Sequence, residues 1–247
     1  MRVTGLSVSD LHNNAVYVPS GSRELQLPRP AEIREAAMAL PVSRYFPVQA
    51  VMKRMIDIGV SLTALVVLSP VLLLVALLIR LDSPGPALFN QVRWGKDCRK
   101  IRVYKFRSMR TDLGDATGVA QTVQNDPRIT RIGAIIRKTN IDELPQLLNV
   151  LKGDMSLVGP RCHAIGMLAA GIPYEDLVPN YHHRHSVKPG MTGLAQMRGL
   201  RGPTDRPGKA RARIASDLYY IDNFSVLLDL RIMFGTVLAE LRGGKGF

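Results

Sequence analysis

The sequence predicts a helix-rich α/β protein that is monotopic, held at a membrane by a re-entrant helix-break-helix segment. An uncharged run covers residues 58–79, and Ser69-Pro70 divides it near the middle. The chain of 247 residues carries a net charge of +13, which suits a negatively charged surface or ligand. Strand-like and helix-like segments alternate after the run, as expected of a small α/β domain.

Composition divides the chain into three regions. Residues 1–48, with scattered Pro, Ser and Gly, are predicted to be a poorly structured tail. Residues 49–86 contain the uncharged run and a rigid turn, Asp82-Ser83-Pro84-Gly85-Pro86. Residues 87–247 are predicted to form the small cytosolic domain, which ends in amphipathic membrane-surface helices.

The uncharged run is the membrane segment. About 20 apolar residues span a hydrocarbon core, so the run is long enough to cross. Pro70 breaks or kinks a helix, and cations flank both ends of the run, Lys53 and Arg54 before it and Arg80 after it. Cationic flanks are typical of the cytosolic side, so this pattern favours a re-entrant helix over a kinked span or a buried core helix.

The domain after the turn begins with strands and continues with helices. Residues 87–92 and 100–106 have the composition of two strands joined by a tight turn. Residues 142–151 are predicted to be a helix that Gly153 ends, because leucines recur at three- and four-residue steps. Residues 211–241 are dense in apolar side chains and are predicted to be a helix pair.

Charge and composition also limit the function. A net charge of +13 suits phosphate-rich ligands, anionic headgroups or nucleic acid. Only 6 % of the residues are aromatic and no nucleic-acid-binding motif is evident, which argues against nucleic acid. Cys98 and Cys162 have no metal or disulfide spacing, which fits the reducing cytosolic side.

The adjacent acids Asp142 and Glu143 are the sharpest candidate site. They are predicted to lie in the first turn of the helix over 142–151, where a divalent cation or a phosphate group could approach them. Acids are also common helix caps, and these two residues alone favour that simpler role.

Basic residues surround the predicted strands and one turn. Lys105 and Arg107 would share one strand face and could clamp a diphosphate, although a solvated charged face explains the same run. In Val158-Gly159-Pro160-Arg161, a rigid turn would hold one guanidinium in place. His163, His182, His183 and His185 are predicted to be solvated or phosphate-facing rather than metal ligands, because their segment lacks cysteines and the right spacing.

Five motifs in order resemble one family. They are Lys105-Phe106-Arg107-Ser108-Met109, Asn125-Asp126-Pro127-Arg128-Ile129-Thr130, Asp142-Glu143-Leu144-Pro145-Gln146, Gly153-Asp154-Met155-Ser156-Leu157-Val158-Gly159-Pro160-Arg161 and Lys188-Pro189-Gly190-Met191-Thr192-Gly193-Leu194-Ala195-Gln196. Together they resemble the bacterial sugar transferases, the monotopic polyprenyl-phosphate phosphoglycosyl transferases, over about residues 50–247. Many members have Pro-Arg-Pro where this chain has Pro160-Arg161-Cys162.

The resemblance implies a Mg²⁺-dependent enzyme on the cytosolic face of a bacterial inner membrane. Asp142 would be the nucleophile that attacks a UDP-sugar and releases UMP, and polyprenyl phosphate would then accept the hexose-1-phosphate. Asp142 and Glu143 would hold the metal. UDP-glucose is the expected donor, with UDP-galactose next, in the first membrane step of exopolysaccharide or glycan assembly. The residues that would bind substrate phosphates are Lys105, Arg107, Arg128, Arg137, Pro160, Arg161 and Gln196.

The expected partners are therefore a UDP-sugar, polyprenyl phosphate, the lipid bilayer and, in a homodimer, a second copy of the chain, but no nucleic acid. Two other classes of protein stay open at this stage. A non-catalytic basic scaffold on a membrane surface would use Asp142 and Glu143 only as helix caps. A nucleic-acid-binding protein would use the same basic residues on phosphates, with steep salt dependence.

Overall fold

The computed structural model describes residues 47–112 and 126–241. A long helix α1 (Pro47–Asp82) is followed by a hairpin of β1 (Leu88–Trp94) and β2 (Lys100–Phe106). Short elements build the centre: α2 (Arg131–Lys138), α3 (Gln146–Lys152), β3 (Ser156–Val158), β4 (Leu168–Ala169), β5 (Ile172–Pro173), α4 (Tyr174–Leu177), β6 (Gly190–Thr192) and α5 (Leu194–Met197). Two longer helices, α6 (Pro207–Asp222) and α7 (Val226–Leu241), complete it. The helix-rich α/β class is confirmed, while the tail predicted before residue 47 lies outside the described residues.

Helix α1 passes through Ser69 and Pro70 as one element of 36 residues. The predicted interruption of the helix there is therefore wrong. Pro70 has no N–H to donate to the carbonyl of Val66. The Ser69 hydroxyl donates to that same carbonyl at 2.8 Å, so the acceptor that Pro70 cannot serve is still satisfied. Length and composition make α1 a candidate membrane span, with a mean hydropathy of 2.9 in its most apolar window.

Both ends of α1 pack on the domain that follows. Near the start, the buried carboxylate of Asp57 accepts hydrogen bonds from the Ser156 hydroxyl at 3.0 Å and from the Leu157 N–H at 2.9 Å. Near the end, Asp82 accepts from the Ile132 N–H at 3.0 Å. Val75 and Ile79 also join a small apolar cluster with residues of β2 and α2. The apolar middle of the helix is mostly exposed between these two contact regions.

The predicted hairpin is confirmed. β1 and β2 pair antiparallel, with Leu88 opposite Phe106 and Trp94 opposite Lys100. The turn between them has left-handed backbone at Asp97 (φ 55°) and at Cys98 (φ 54°). Left-handed φ is unusual for residues other than glycine, so this turn has an uncommon backbone conformation.

Close backbone contact joins β3 to β6, which pair in parallel. A Cβ on Gly159 would lie 2.6 Å from the Lys188 carbonyl oxygen, and a Cβ on Gly190 would overlap the Gly159 backbone. The glycines of two sequence motifs therefore permit one close crossing of the chain. The main core beside it includes Val103, Val150, Met155, Val158, Ile221 and Ile232.

The two C-terminal helices confirm the helix pair predicted over residues 211–241. Helix α7 exposes large apolar side chains, among them Leu227 at 77 % and Phe234 at 71 %. A soluble surface rarely gathers such side chains on one element without a binding role.

Candidate active site

The acid pair sits in a 3-10 turn (Ile141–Glu143), before the start of α3 at Gln146. The prediction that it lies in the first turn of a helix over 142–151 is corrected, because the helix begins later and is shorter. Asn149 of α3 accepts from the Tyr104 N–H at 2.9 Å and donates to the Arg102 carbonyl at 2.7 Å. These bonds fix α3 against β2, and they bring Lys105 to the acid pair.

Glu143 is held by two cations that come from separate parts of the chain. Lys105 donates to Oε1 at 2.7 Å, and Arg161, just after β3, donates to both carboxylate oxygens, at 2.9 Å to Oε2. Burial alone would raise the pKa of Glu143, but Arg161 and Lys105 together lower it well below its ordinary value. Glu143 is therefore a fixed negative charge that orients the side chains of Lys105 and Arg161.

Asp142 has a different environment from its neighbour. The residue is 7 % exposed, and no described residue donates a hydrogen bond to its carboxylate. Burial raises its pKa to about 6; the Glu143 charge adds to the rise, and Lys105 opposes it. Two adjacent carboxyls thus have pKa values pushed apart, which is typical of groups with separate chemical roles.

A cavity of about 950 Å³ opens above the acid pair. Its volume is in the range of small-molecule sites. One part is basic, with Arg93, Lys105, Arg137, Arg161, Arg201 and Arg213. Apolar side chains also line it, and four of them, Leu230, Met233, Phe234 and Val237, come from α7. The lining therefore offers both cations for phosphate groups and apolar side chains for hydrocarbon.

The cavity brings together several residues predicted from the sequence. Asp142, Glu143, Lys105, Arg137, Arg161 and Gln196 all line it. Gln196 donates to the Met191 carbonyl at 2.9 Å. Its amide oxygen is buried and has no hydrogen-bond partner among the described residues, so it is an acceptor that a bound ligand can use.

Three of the predicted phosphate ligands lie elsewhere. Arg107 is buried and donates to the carbonyls of Ile79, Ser83 and Pro84, so it clamps the end of α1. The expectation that it shares a strand face with Lys105 fails because β2 ends at Phe106. Arg128 pairs with Asp126 at 2.6 Å. Pro160 accepts from the Gly190 N–H with its carbonyl, so it fixes the turn before Arg161.

A buried ion pair that the sequence reasoning missed supports Arg161. Arg184, 1 % exposed, donates to Asp217 at 2.7 Å and to the Arg161 carbonyl. Burial raises the pKa of Asp217 and Arg184 opposes that rise. A signal for Asp217 existed, because it interrupts an otherwise apolar face of α6 formed by Ala210, Ile214 and Ile221.

The histidines are mostly buried, so the expectation that they are solvated is wrong, although His163 lines the cavity. His163 packs between Tyr174 and Tyr181, with Nδ1 3.1 Å from the Tyr181 hydroxyl. Burial lowers its pKa well below the ordinary value, with Arg184 adding to the effect. His163 is therefore neutral. His183 and His185 are also buried, and His182 is half-buried.

The acid pair has the donor chemistry of a Mg²⁺ site. Magnesium takes hard oxygen ligands and commonly binds one or two carboxylates together with substrate phosphates and water. Asp142 offers a carboxylate without hydrogen bonds from described residues, whereas Glu143 already binds Lys105 and Arg161. These residues fit the ion if Asp142 provides the main contact and Glu143 shares its remaining lone pair.

The sequence of this chain is similar to that of known proteins. The model of the bacterial sugar transferase family matches residues 48–243. The exopolysaccharide production protein PSS of Rhizobium leguminosarum bv. phaseoli is 75 % identical over 80 % of this chain and 98 % of its own length. The UDP-glucose:undecaprenyl-phosphate glucose-1-phosphate transferase of Escherichia coli is 47 % identical over 81 % of this chain. A protein of the same name from Caulobacter vibrioides is 48 % identical over 75 % of it. The chain spans 41 % of the Escherichia coli protein and 68 % of the Caulobacter protein.

Proposed function

The chain belongs to the bacterial sugar transferase family, and from that membership we propose that it transfers hexose-1-phosphate from a UDP-sugar to polyprenyl phosphate. UDP-glucose is the favoured donor because relatives 47–48 % identical are named for UDP-glucose and undecaprenyl phosphate. The similarity to an exopolysaccharide production protein supports a place at the first membrane step of polysaccharide assembly.

One observation carries the proposal. Asp142 reaches a cavity whose basic part suits a diphosphate, and its carboxylate has no hydrogen-bond donor among the described residues. A carboxylate without competing donors keeps its lone pairs for attack on phosphorus. Glu143 beside it is tied to Lys105 and Arg161, so the neighbouring cations are already in place when a phosphate enters.

The transfer proceeds in two displacements at the sugar-linked phosphorus. In the first, an Asp142 oxygen forms a bond to that phosphorus, and the bond to the UMP oxygen breaks with its electron pair leaving on UMP. In the second, an oxygen of polyprenyl phosphate attacks the same phosphorus, and the Asp142 carboxylate leaves. Lys105 and Arg161 stabilise the charge that builds on the phosphate oxygens in each displacement. Magnesium, when bound by Asp142 and Glu143, would supply further neutralisation of phosphate charge.

The apolar part of the cavity is where the lipid acceptor would enter. Leu230, Phe234 and Val237 of α7 line the cavity and are also partly exposed, Phe234 at 71 %. They would place the first isoprene units against protein while the acceptor phosphate reaches Asp142. The exposed apolar side chains of α7 also suit a helix that lies in the membrane surface.

The contacts of α1 support a re-entrant path, and the cations that flank its apolar run, Lys53, Arg54 and Arg80, support the cytosolic face of the inner membrane. Asp57 and Asp82 lie at opposite ends of the apolar run, and both bind the same domain. A domain on one side of a bilayer cannot contact both ends of a helix that crosses it. Because α1 is continuous through Pro70, the helix would have to bend there and return to the side on which it began.

The experiment is UMP release by the full chain in lipid nanodiscs, with undecaprenyl phosphate and a panel of UDP-sugars. We expect turnover with UDP-glucose and a loss of at least about 10³-fold in the variant Asp142→Asn. Asp222→Asn, which changes an exposed aspartate on α6, is the matched control and should keep full activity. Normal turnover by Asp142→Asn would disprove the mechanism, and preference for UDP-galactose would correct the donor.

A further inference from the structure

Three side chains from two distant segments meet outside the cavity. Cys98 lies in the hairpin turn after Gly95, and His182 and His185 lie in a 3-10 helix (Tyr181–Ser186). The Cys98 sulfur is 3.9 Å from Nδ1 of His182 and 3.5 Å from Nδ1 of His185. Potential ligand atoms of all three residues lie within 4.8 Å of one another. This cluster of Cys98, His182 and His185 could not be predicted from the sequence, because the cysteine and the histidines are far apart along the chain.

We propose that Cys98, His182 and His185 bind a zinc ion. Tetrahedral zinc bonds sulfur at about 2.3 Å and imidazole nitrogen at about 2.1 Å, so its sulfur and nitrogen ligands lie about 3.6 Å apart. The two sulfur–nitrogen distances here, 3.9 and 3.5 Å, are close to that separation. One thiolate and two imidazoles make a zinc set, whereas magnesium prefers the carboxylates of the acid pair.

The surroundings hold these ligands in position. His182 and His185 both meet the Tyr181 ring edge-on, at centroid distances of 5.2 and 5.5 Å. The Cys98 thiol is directed toward both histidines, 3.9 Å from Nδ1 of His182 and 3.5 Å from Nδ1 of His185. Cys98 and His182 are half-buried, so water can take the fourth position on the ion. The ion replaces the thiol proton, which is released to solvent.

The site ties the β1–β2 hairpin to the segment that supports Arg161. Arg184 lies between the two histidine ligands and donates to the Arg161 carbonyl. Lys105 is on β2 of the same hairpin and contacts Glu143. Zinc would therefore be structural, holding the hairpin that carries Lys105 against the segment that supports Arg161. This inference stands independently of the reaction proposed above.

The test uses the full chain in nanodiscs after dialysis against a chelator, with Co²⁺ as the spectroscopic probe. We expect the near-ultraviolet band of a thiolate–cobalt bond and the visible bands of tetrahedral cobalt, both removed by about one equivalent of zinc. Cys98→Ser should lose the thiolate band, and His182→Gln should weaken cobalt binding at least about 10-fold. Cys162→Ser, which changes the other cysteine, should bind cobalt as the unaltered chain does.

A wild-type chain that shows no thiolate–cobalt band would overturn the proposal, as would a band that survives in Cys98→Ser. Copper(I) displacing cobalt where zinc does not would also overturn it. Thermal unfolding keeps the test decisive if Cys98→Ser folds poorly. Zinc should raise the Tm of the unaltered chain and of Cys162→Ser, and it should raise the Tm of His182→Gln by less. An equal zinc shift in His182→Gln would contradict the site.

Discussion

Asp57 and Asp82 lie at the two ends of the apolar run of α1, and both accept backbone hydrogen bonds from the same domain. Asp57 accepts from Leu157 at 2.9 Å, and Asp82 accepts from Ile132 at 3.0 Å. A straight helix between them would be about 37 Å long, enough to cross a hydrocarbon core. The two contacts join both ends of the apolar run to one domain, and they give a direct test of topology.

The first prediction is that both ends of α1 face the cytosol. Val51→Cys and Pro86→Cys each place a thiol at an exposed position, in a chain whose Cys98 and Cys162 are changed to serine. An impermeant maleimide should label both thiols in inverted inner-membrane vesicles and neither in intact spheroplasts. Labelling of the two positions from opposite sides would show a membrane span instead.

The second prediction concerns the buried ion pair at the start of α1. Lys53 lies 2.6 Å from Asp229 and also donates to the Val158 carbonyl at 2.9 Å. Lys53→Met leaves the buried carboxylate of Asp229 without its cation, so the free energy of unfolding should fall by about 3 kcal/mol. Thermal unfolding in detergent measures the loss.

The exposed pair Arg110–Asp112 is the control for that measurement, since its side chains are 55 % and 57 % exposed. Arg110→Met should change the free energy of unfolding by less than about 1 kcal/mol. Equal losses in the Lys53 and Arg110 variants would mean that the buried pair does not anchor α1.

The third prediction is a pH dependence set by Asp142. Attack needs the carboxylate, and burial raises the pKa of this residue from 3.8 to about 6. The rate of UMP release at saturating substrate should therefore fall about tenfold between pH 7 and pH 5. A rate that stays level down to pH 5 would argue against Asp142 as the attacking group.

The free energy of unfolding should depend on Asp142 in the opposite direction: it should fall with rising pH, whereas the rate of UMP release rises. A raised pKa means that the fold favours the protonated form, a contribution that is fully present below pH 3.8 and lost as pH rises through about 6. Relative to Asp142→Asn, the unaltered chain should become less stable across that window. Chemical denaturation at several pH values measures the difference.

The fourth prediction is that Arg161 cannot be replaced by lysine. Arg161 contacts both oxygens of Glu143, and Arg184 holds its backbone carbonyl. An ammonium cannot copy the planar, two-pronged contact, so Arg161→Lys should lower kcat about 100-fold. Arg211→Lys, at an exposed position of α6, should leave kcat unchanged, and a similar kcat in both variants would contradict this role.

The fifth prediction concerns the close crossing of β3 and β6. Gly159→Ala would put a Cβ 2.6 Å from the Lys188 carbonyl oxygen, so the backbone must shift and the Tm should fall. Gly208→Ala in α6 meets nothing within 4 Å, and it should raise the free energy of unfolding by up to about 1 kcal/mol. An unchanged Tm in Gly159→Ala would show that the crossing tolerates a methyl group.

The sequence by itself determined the features that depend on local pattern. The uncharged run, the strand pair and the C-terminal helices follow from hydrophobic periodicity and length, and the order of motifs identified the acid pair and Arg161. Tertiary structure decided what local pattern cannot encode. Arg107 does not line the cavity, because β2 ends one residue before it. Helix α1 is continuous through Pro70, and the Ser69 hydroxyl donates to the carbonyl that Pro70 cannot serve.

The grouping of Cys98 with His182 and His185, and the support of Arg161 by Arg184, depend on contacts between segments distant in sequence. Such contacts arise when separate elements share a core. Spacing along the chain therefore gave no sign of them.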